Sequence, residues 1–264
     1  MDVEPRPMSR RDFLKLAGTV AGTGLLGALT GSLAGCSVLD KLQSEPIISP
    51  TPSLEQIAYL KEHGENPQEM IIEKLESDIK LVGLGEIHRQ LDMELFANSV
   101  IAEAAKRELI NFLALEIDTS KQIEVNVYLQ TGIVTKEFEE VFRDEGYKRI
   151  FETARQYKLS ILCVDKNDSD ERGNFMKGSI LNYMRQNFNQ KGIFYAGNWH
   201  IAKGQDLLTQ ELKDRYYSVI QINSDTENIV YKAVIQAGIT QPVGIDMVSK
   251  TPFSKIPHGY PYEL

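Results

Sequence analysis

From residue 54 onward, short apolar runs alternate with longer stretches in which apolar residues recur at helical spacing. The runs at 80–84, 110–117, 159–164, 192–196 and 217–222 are bounded by glycine or polar residues, the pattern of buried strands. The run at 229–235 has the same composition and reads as a sixth strand. Between them, residues 54–64, 91–107, 120–130, 135–143, 147–157, 171–188 and 204–213 read as helices; the stripe Leu95, Val100, Ile101, Ala104 and Ala105 marks the core face of one. Gly64 closes the first helix, and Asp168, Ser169 and Asp170 are candidate N-caps for the long one at 171–188. This alternation predicts an α/β domain over residues 54–264, a mostly parallel sheet with helices on both faces.

The N-terminal stretch is different. Ser9, Arg10, Arg11, Asp12, Phe13, Leu14 and Lys15 precede a glycine-rich apolar run at 16–34, and together they resemble a twin-arginine export signal. The run ends in Leu33-Ala34-Gly35-Cys36, which resembles the lipobox of bacterial lipoproteins: small residues admit the processing peptidase and the Cys36 thiol takes the lipid. The expectation is a signal peptide over 1–35 and a tether over 36–53, whose SEPIISPTPS stretch is rich in proline and serine. The domain would leave by the twin-arginine route, already folded. It would then stay lipid-anchored to the cell membrane or the outer membrane, facing the periplasm or the outside.

Composition narrows the partners. The formal net charge is −8, and removing the leader makes the chain one charge more acidic, with no basic face for nucleic acid. With Cys36 lipidated only Cys163 remains, in the apolar run Ile161-Leu162-Cys163-Val164, where it reads as a buried, inert thiol.

Chemistry concentrates at the strand ends. Glu86 and His88 follow the first strand, and Glu116 ends the second within LALEI. Asp165 caps the third, and the fourth runs into Gly197-Asn198-Trp199-His200. In an open parallel sheet these ends share one edge, where the ligand crevice forms. Several ionisable groups converging there carry too large a desolvation penalty unless they bind a cation or share protons. Glu86, His88, Glu116 and His200 are therefore expected in one cleft, with Asp165 at its margin. Gly85-x-x-His88 and Gly197-x-x-His200 repeat one pattern, in which glycine is expected to let the chain turn sharply off the strand. Tyr195 and Trp199 read as packing residues, and His63 and His258 as surface ones.

The segments GEIH, LALEI and YAGNWH resemble the superfamily that joins ChaN-type haem-binding lipoproteins, erythromycin-esterase-like hydrolases and the TIKI/TraB proteins. The two G-x-x-H motifs and the glutamate of the TIKI branch map onto His88, His200 and Glu116. Glu171-Arg172-Gly173-Asn174-Phe175-Met176 is similar to the R-(D/N)-x-x-M segment of the other two branches, with one inserted position. The resemblance covers about residues 78–205. It implies the α/β fold with this cluster in a cleft; with the strand-end positions it gives Glu86, His88, Glu116 and His200 as the expected catalytic set, and Asp165 and Arg172 as expected cofactor-binding residues.

Two functions follow. One is a hydrolase of an ester or peptide bond. It would use a divalent metal on His88, Glu116 and His200, or metal-free acid–base chemistry on a small-molecule or peptide substrate. A serine nucleophile is not expected, since no G-x-S-x-G elbow is present. The alternative is a lipoprotein that binds haem or iron for uptake.

Overall fold

Ser53 opens the folded domain with a reciprocal capping box. Its hydroxyl accepts from the Gln56 N–H at 3.1 Å, and the Gln56 side chain accepts from the Ser53 N–H at 2.9 Å. Helix α1 (Leu54–His63) follows. The computed structural model describes residues 51–142, 144–166, 172–201, 207–221, 229–245 and 252. The expected signal peptide, Cys36 and most of the tether lie outside the described residues, as do Asp168, Ser169, Asp170 and His258. Among the described residues no helix is long and apolar enough to cross a membrane.

The remaining elements are α2 (Pro67–Glu76), β1 (Leu81–Glu86), α3 (Leu91–Lys106), β2 (Phe112–Asp118), α4 (Gln122–Thr131), α5 (Lys136–Glu139), α6 (Glu145–Gln156), β3 (Ser160–Asp165), α7 (Arg172–Gln186), β4 (Gly192–Gly197), α8 (Asn198–Ile201), α9 (Leu207–Leu212), β5 (Tyr216–Val219) and α10 (Ile229–Gln236). The five strands are parallel, in the order β3-β2-β4-β1-β5. Helices cover both faces, as the alternation predicts. Val82, Leu84, Leu113, Leu115, Ile193 and Tyr195 pack against α2, α3 and α6 on one face. Phe112, Ala114, Phe194 and Ala196 meet Met176, Ile180 and Leu181 of α7 and Leu208 and Leu212 of α9 on the other.

Two differences from the sequence pattern have physical causes. Residues 229–235 are not a sixth strand but the body of α10. Ile229 and Ala233, one helical turn apart, are buried, and Ala233 joins Leu60 of α1 in a small separate cluster. Strand propensity in β-branched residues expresses a fit to a pleated surface, and no sheet edge receives this segment. Helix α2 was not anticipated, although Asn66 and Pro67 signal it. The Asn66 side chain accepts from the N–H groups of Gln68 (2.9 Å) and Glu69 (3.2 Å), and Pro67 stands at the first helical position.

Candidate functional site

The three central strands, β2, β4 and β1, deliver the candidate residues to the C-terminal edge of the sheet. Glu86 is the last residue of β1, pairing with Gly197, the last of β4, from which α8 carries His200 directly. Glu116 lies near the end of β2, where the register to β3 shifts. Glu86, Glu116 and Asp165 are each only 2% exposed. Three carboxylates so withdrawn from water need partners.

Glu86 finds an imidazole and two phenols. Its Oε1 lies 2.8 Å from His88 Nδ1 and accepts from the Tyr147 hydroxyl at 3.4 Å, while Oε2 accepts from the Tyr195 hydroxyl. Glu116 finds a cation. Its Oε1 accepts from Arg172 Nη2 at 2.7 Å, and its Oε2 accepts from the Gly197 N–H at 2.8 Å. Arg172, the first residue of α7, also clasps Asp165 through Nε and Nη2, both at 2.5 Å. Those bonds to Asp165, with the charge of Glu116, raise the guanidinium above its ordinary value. His88 bridges the two halves, its Nε2 3.8 Å from Glu116 Oε2, and His200 Nε2 lies on the Glu116 side, 3.7 Å from Oε1. All six expected residues therefore form one continuous cluster.

Burial lowers His200 below the usual imidazole range. The Arg172 and Lys177 charges push the same way, against the opposing pull of Glu116. His88 is 49% exposed at its side chain and Arg172 35%, so both reach solvent at this edge of the sheet. Trp199 is 70% exposed, while neighbouring Asn198 is buried and bonds the backbone of Gln221 through Nδ2 (2.9 Å) and Oδ1 (3.3 Å).

The motif glycines are needed for space rather than for a sharp turn. Neither Gly85 nor Gly197 has positive φ, and both lie inside strands. A Cβ on Gly85 would overlap Asn198 Oδ1. One on Gly197 would stand 3.0 Å from His88 Nε2 and 3.5 Å from Glu116 Oε2. Sequence reasoning missed the two tyrosines. Tyr195 read as packing, and the only signal was that a buried phenol hydroxyl needs a partner. His63 lies apart from the cluster, against Tyr59.

The donor set fits acid–base chemistry better than a metal or haem. Glu116, the member common to the expected metal set, is already held by a guanidinium and a backbone N–H. A dication there would confront Arg172 across the same carboxylate. Among the described residues, no three His, Cys, Asp or Glu side chains are grouped as metal ligands. For haem, the phenols of Tyr147 and Tyr195 are committed to Glu86, and Met93 Sδ accepts from the Ile87 N–H at 3.3 Å.

No protein-family model and no curated protein matches the chain. Among solved structures the chain is similar to RRSP, a MARTX toxin effector domain from Vibrio vulnificus CMCP6. The identity is 19% over 64% of this chain and 38% of that one, with a TM-score of 0.44. It is also similar to a structure described as bacterial protein toxins (19% identity, 63% and 39% coverage, TM-score 0.45). A third is the type III effector HopBA1 (14% identity, 58% and 81% coverage, TM-score 0.41). The chain spans less than two fifths of the length of the first two.

Proposed function

We propose that the cleft is a metal-free hydrolytic site acting on an ester, of the erythromycin-esterase-like kind that the sequence motifs resemble. The observation that carries this reading is the 2.8 Å contact between His88 Nδ1 and the buried carboxylate of Glu86. A buried carboxylate behind an imidazole fixes the proton on Nδ1 and leaves Nε2 with its lone pair toward the cleft. Gly197 keeps the space beside Nε2 clear of a side chain.

In this reading His88 Nε2 takes a proton from water as the oxygen attacks the carbonyl carbon. The tetrahedral intermediate then expels the alkoxide, and the imidazolium returns the proton to it. Arg172, fixed by Asp165 and Glu116 yet reaching solvent, supplies positive charge for the developing oxyanion. His200, neutral near pH 7 because its pKa is lowered, lies beside Glu116 as a second polar group for the substrate.

The test is hydrolysis of p-nitrophenyl esters of graded acyl length by the purified chain after chelation. Activity should survive the chelator, and His88→Gln should lower kcat/KM by roughly 10²–10⁴-fold. Hydrolysis of no ester in the series, or activity lost to the chelator, would sink the reading. The same proposal puts the domain outside the cytoplasm on a lipid anchor, supported by the SRRDFLK and LAGC motifs. Cys36→Ser should release it from the membrane fraction; a serine variant that stays membrane-bound contradicts the anchor.

A further inference from the structure

We infer that Tyr195 and Tyr147 are positioning residues for the Glu86–His88 pair, with Tyr195 the stronger of the two. The inference rests on the acid–base reading above, and its test lets the two fail separately. Tyr195 stands on β4, in register with Leu84 of β1, and is fully buried. Its hydroxyl donates to Glu86 Oε2. Tyr147, in the first turn of α6, is buried as well and donates to Oε1 at 3.4 Å. The two rings lie 5.8 Å apart between centroids. Donors therefore converge on one carboxylate from two directions, two phenols from the core and the His88 Nδ1–H from the cleft.

Glu94 of α3 acts on Tyr195 from the core side. On the cleft side His88 faces Glu116, which Arg172 and Asp165 hold in turn. Burial, then the charge of Glu86, pushes the Tyr195 hydroxyl above its ordinary range, so it remains a donor throughout the accessible pH range. A phenol that always donates to Oε2 leaves Oε1 to serve the imidazole. Packing alone does not require the hydroxyl, because phenylalanine fills the same apolar volume. The Tyr195 hydroxyl thus holds the carboxylate plane in which Oε1 faces His88, with Tyr147 a second, longer donor to that same oxygen, and a carboxylate held against Nδ1 keeps the ring proton there.

The experiment uses the full chain labelled with ¹⁵N at its four histidines, with the His88 signals identified by their loss in His88→Gln. The unaltered chain should show the Nδ1–H tautomer at His88. Tyr195→Phe should reduce that population and lower kcat for a p-nitrophenyl ester by roughly ten- to a hundredfold, with KM changed by less than about twofold. Tyr147→Phe should move both in the same direction by less, and it decides the matter if Tyr195→Phe does not fold. An unchanged His88 tautomer in the folded variant overturns the inference, whatever hydrolysis does. A tautomer shift in a chain that hydrolyses no ester upholds the positioning and refutes the hydrolytic reading instead.

Discussion

Glu86 and Glu116 sit on neighbouring sides of one cleft, equally buried and each at the end of a central strand, yet their surroundings are of opposite kinds. Glu86 follows Val82 and Leu84, which pack on the α2/α3/α6 side, and it is met by two phenols and an imidazole. Glu116 follows Phe112 and Ala114, which pack on the α7 side, and α7 brings Arg172 to it. On the Glu116 side one guanidinium is shared between two carboxylates. On the Glu86 side the carboxylate is met by two phenol hydroxyls and an imidazole. In the proposed reading the first arrangement stays as it is and the second passes a proton. Buried ion pairs resist disruption because each partner left alone is an uncompensated charge. A carboxylate held by hydrogen bonds alone leaves its histidine partner free to change protonation state.

The largest stability effect should therefore come from the Arg172 side. Arg172→Met leaves Glu116 and Asp165 facing each other without a cation, and should cost about 3–5 kcal/mol in a denaturation midpoint. Glu116→Gln should cost less, about 1–3 kcal/mol, because Asp165 still holds the guanidinium and solvent reaches part of it. If the two midpoints were ordered the other way, Glu116 rather than Arg172 would be the centre of the cluster.

Gly197→Ala probes the space between the halves. Its methyl would press on His88 Nε2 at 3.0 Å, so hydrolysis should fall by about tenfold or more while stability drops by under about 2 kcal/mol. Normal turnover in the alanine variant would mean that the reacting water lies elsewhere.

His200 gives a smaller effect, with a definite sign. Its pKa in the folded chain lies below the unfolded value of about 6.5, so the unfolded state binds the proton more readily. Stability from neutral His200 is complete above about pH 6.5 and is lost as pH falls through the folded value. The melting midpoint of His200→Gln should depend less on pH in that acidic window. Equal slopes in the two proteins would place the lowered pKa in doubt.

Cys163 should show no effect at all while the chain is folded. Burial pushes its thiol up to about 12. A Cys36→Ser chain at pH 8 should therefore resist thiol reagents until it unfolds. Rapid labelling of the folded protein would show that β3 opens.

Much of this cleft is legible in the order of residues, because a parallel sheet turns strand ends into one edge. Glu86, His88, Glu116, Asp165 and His200 each follow an apolar run, and that rule alone brings them together. The partners of the carboxylates are not legible in this way. Tyr147 comes from the start of a helix whose docking angle no local pattern specifies, and Tyr195 looks like any aromatic residue of a buried strand. The role of the glycines was misread for a related reason. Glycine in sequence announces backbone freedom, but what Gly85 and Gly197 provide is room for Asn198 and for His88, which only the packed strands reveal. The run at 229–235 has strand-forming composition, yet Ile229 and Ala233 are buried one turn apart and Ala233 packs with Leu60 of α1, which selects a helix.

The central claim is that Glu86 serves the reaction through His88 rather than the fold. The most direct measurement takes Glu86→Gln, which keeps the shape and removes the charge, and records ester hydrolysis and the melting midpoint on the same chelator-treated sample. The account predicts kcat lowered by about a hundredfold or more, with the midpoint within a few degrees of the unaltered chain, roughly 1 kcal/mol of stability. Undiminished kcat in the folded variant, or a loss of activity that only tracks unfolding, would contradict it.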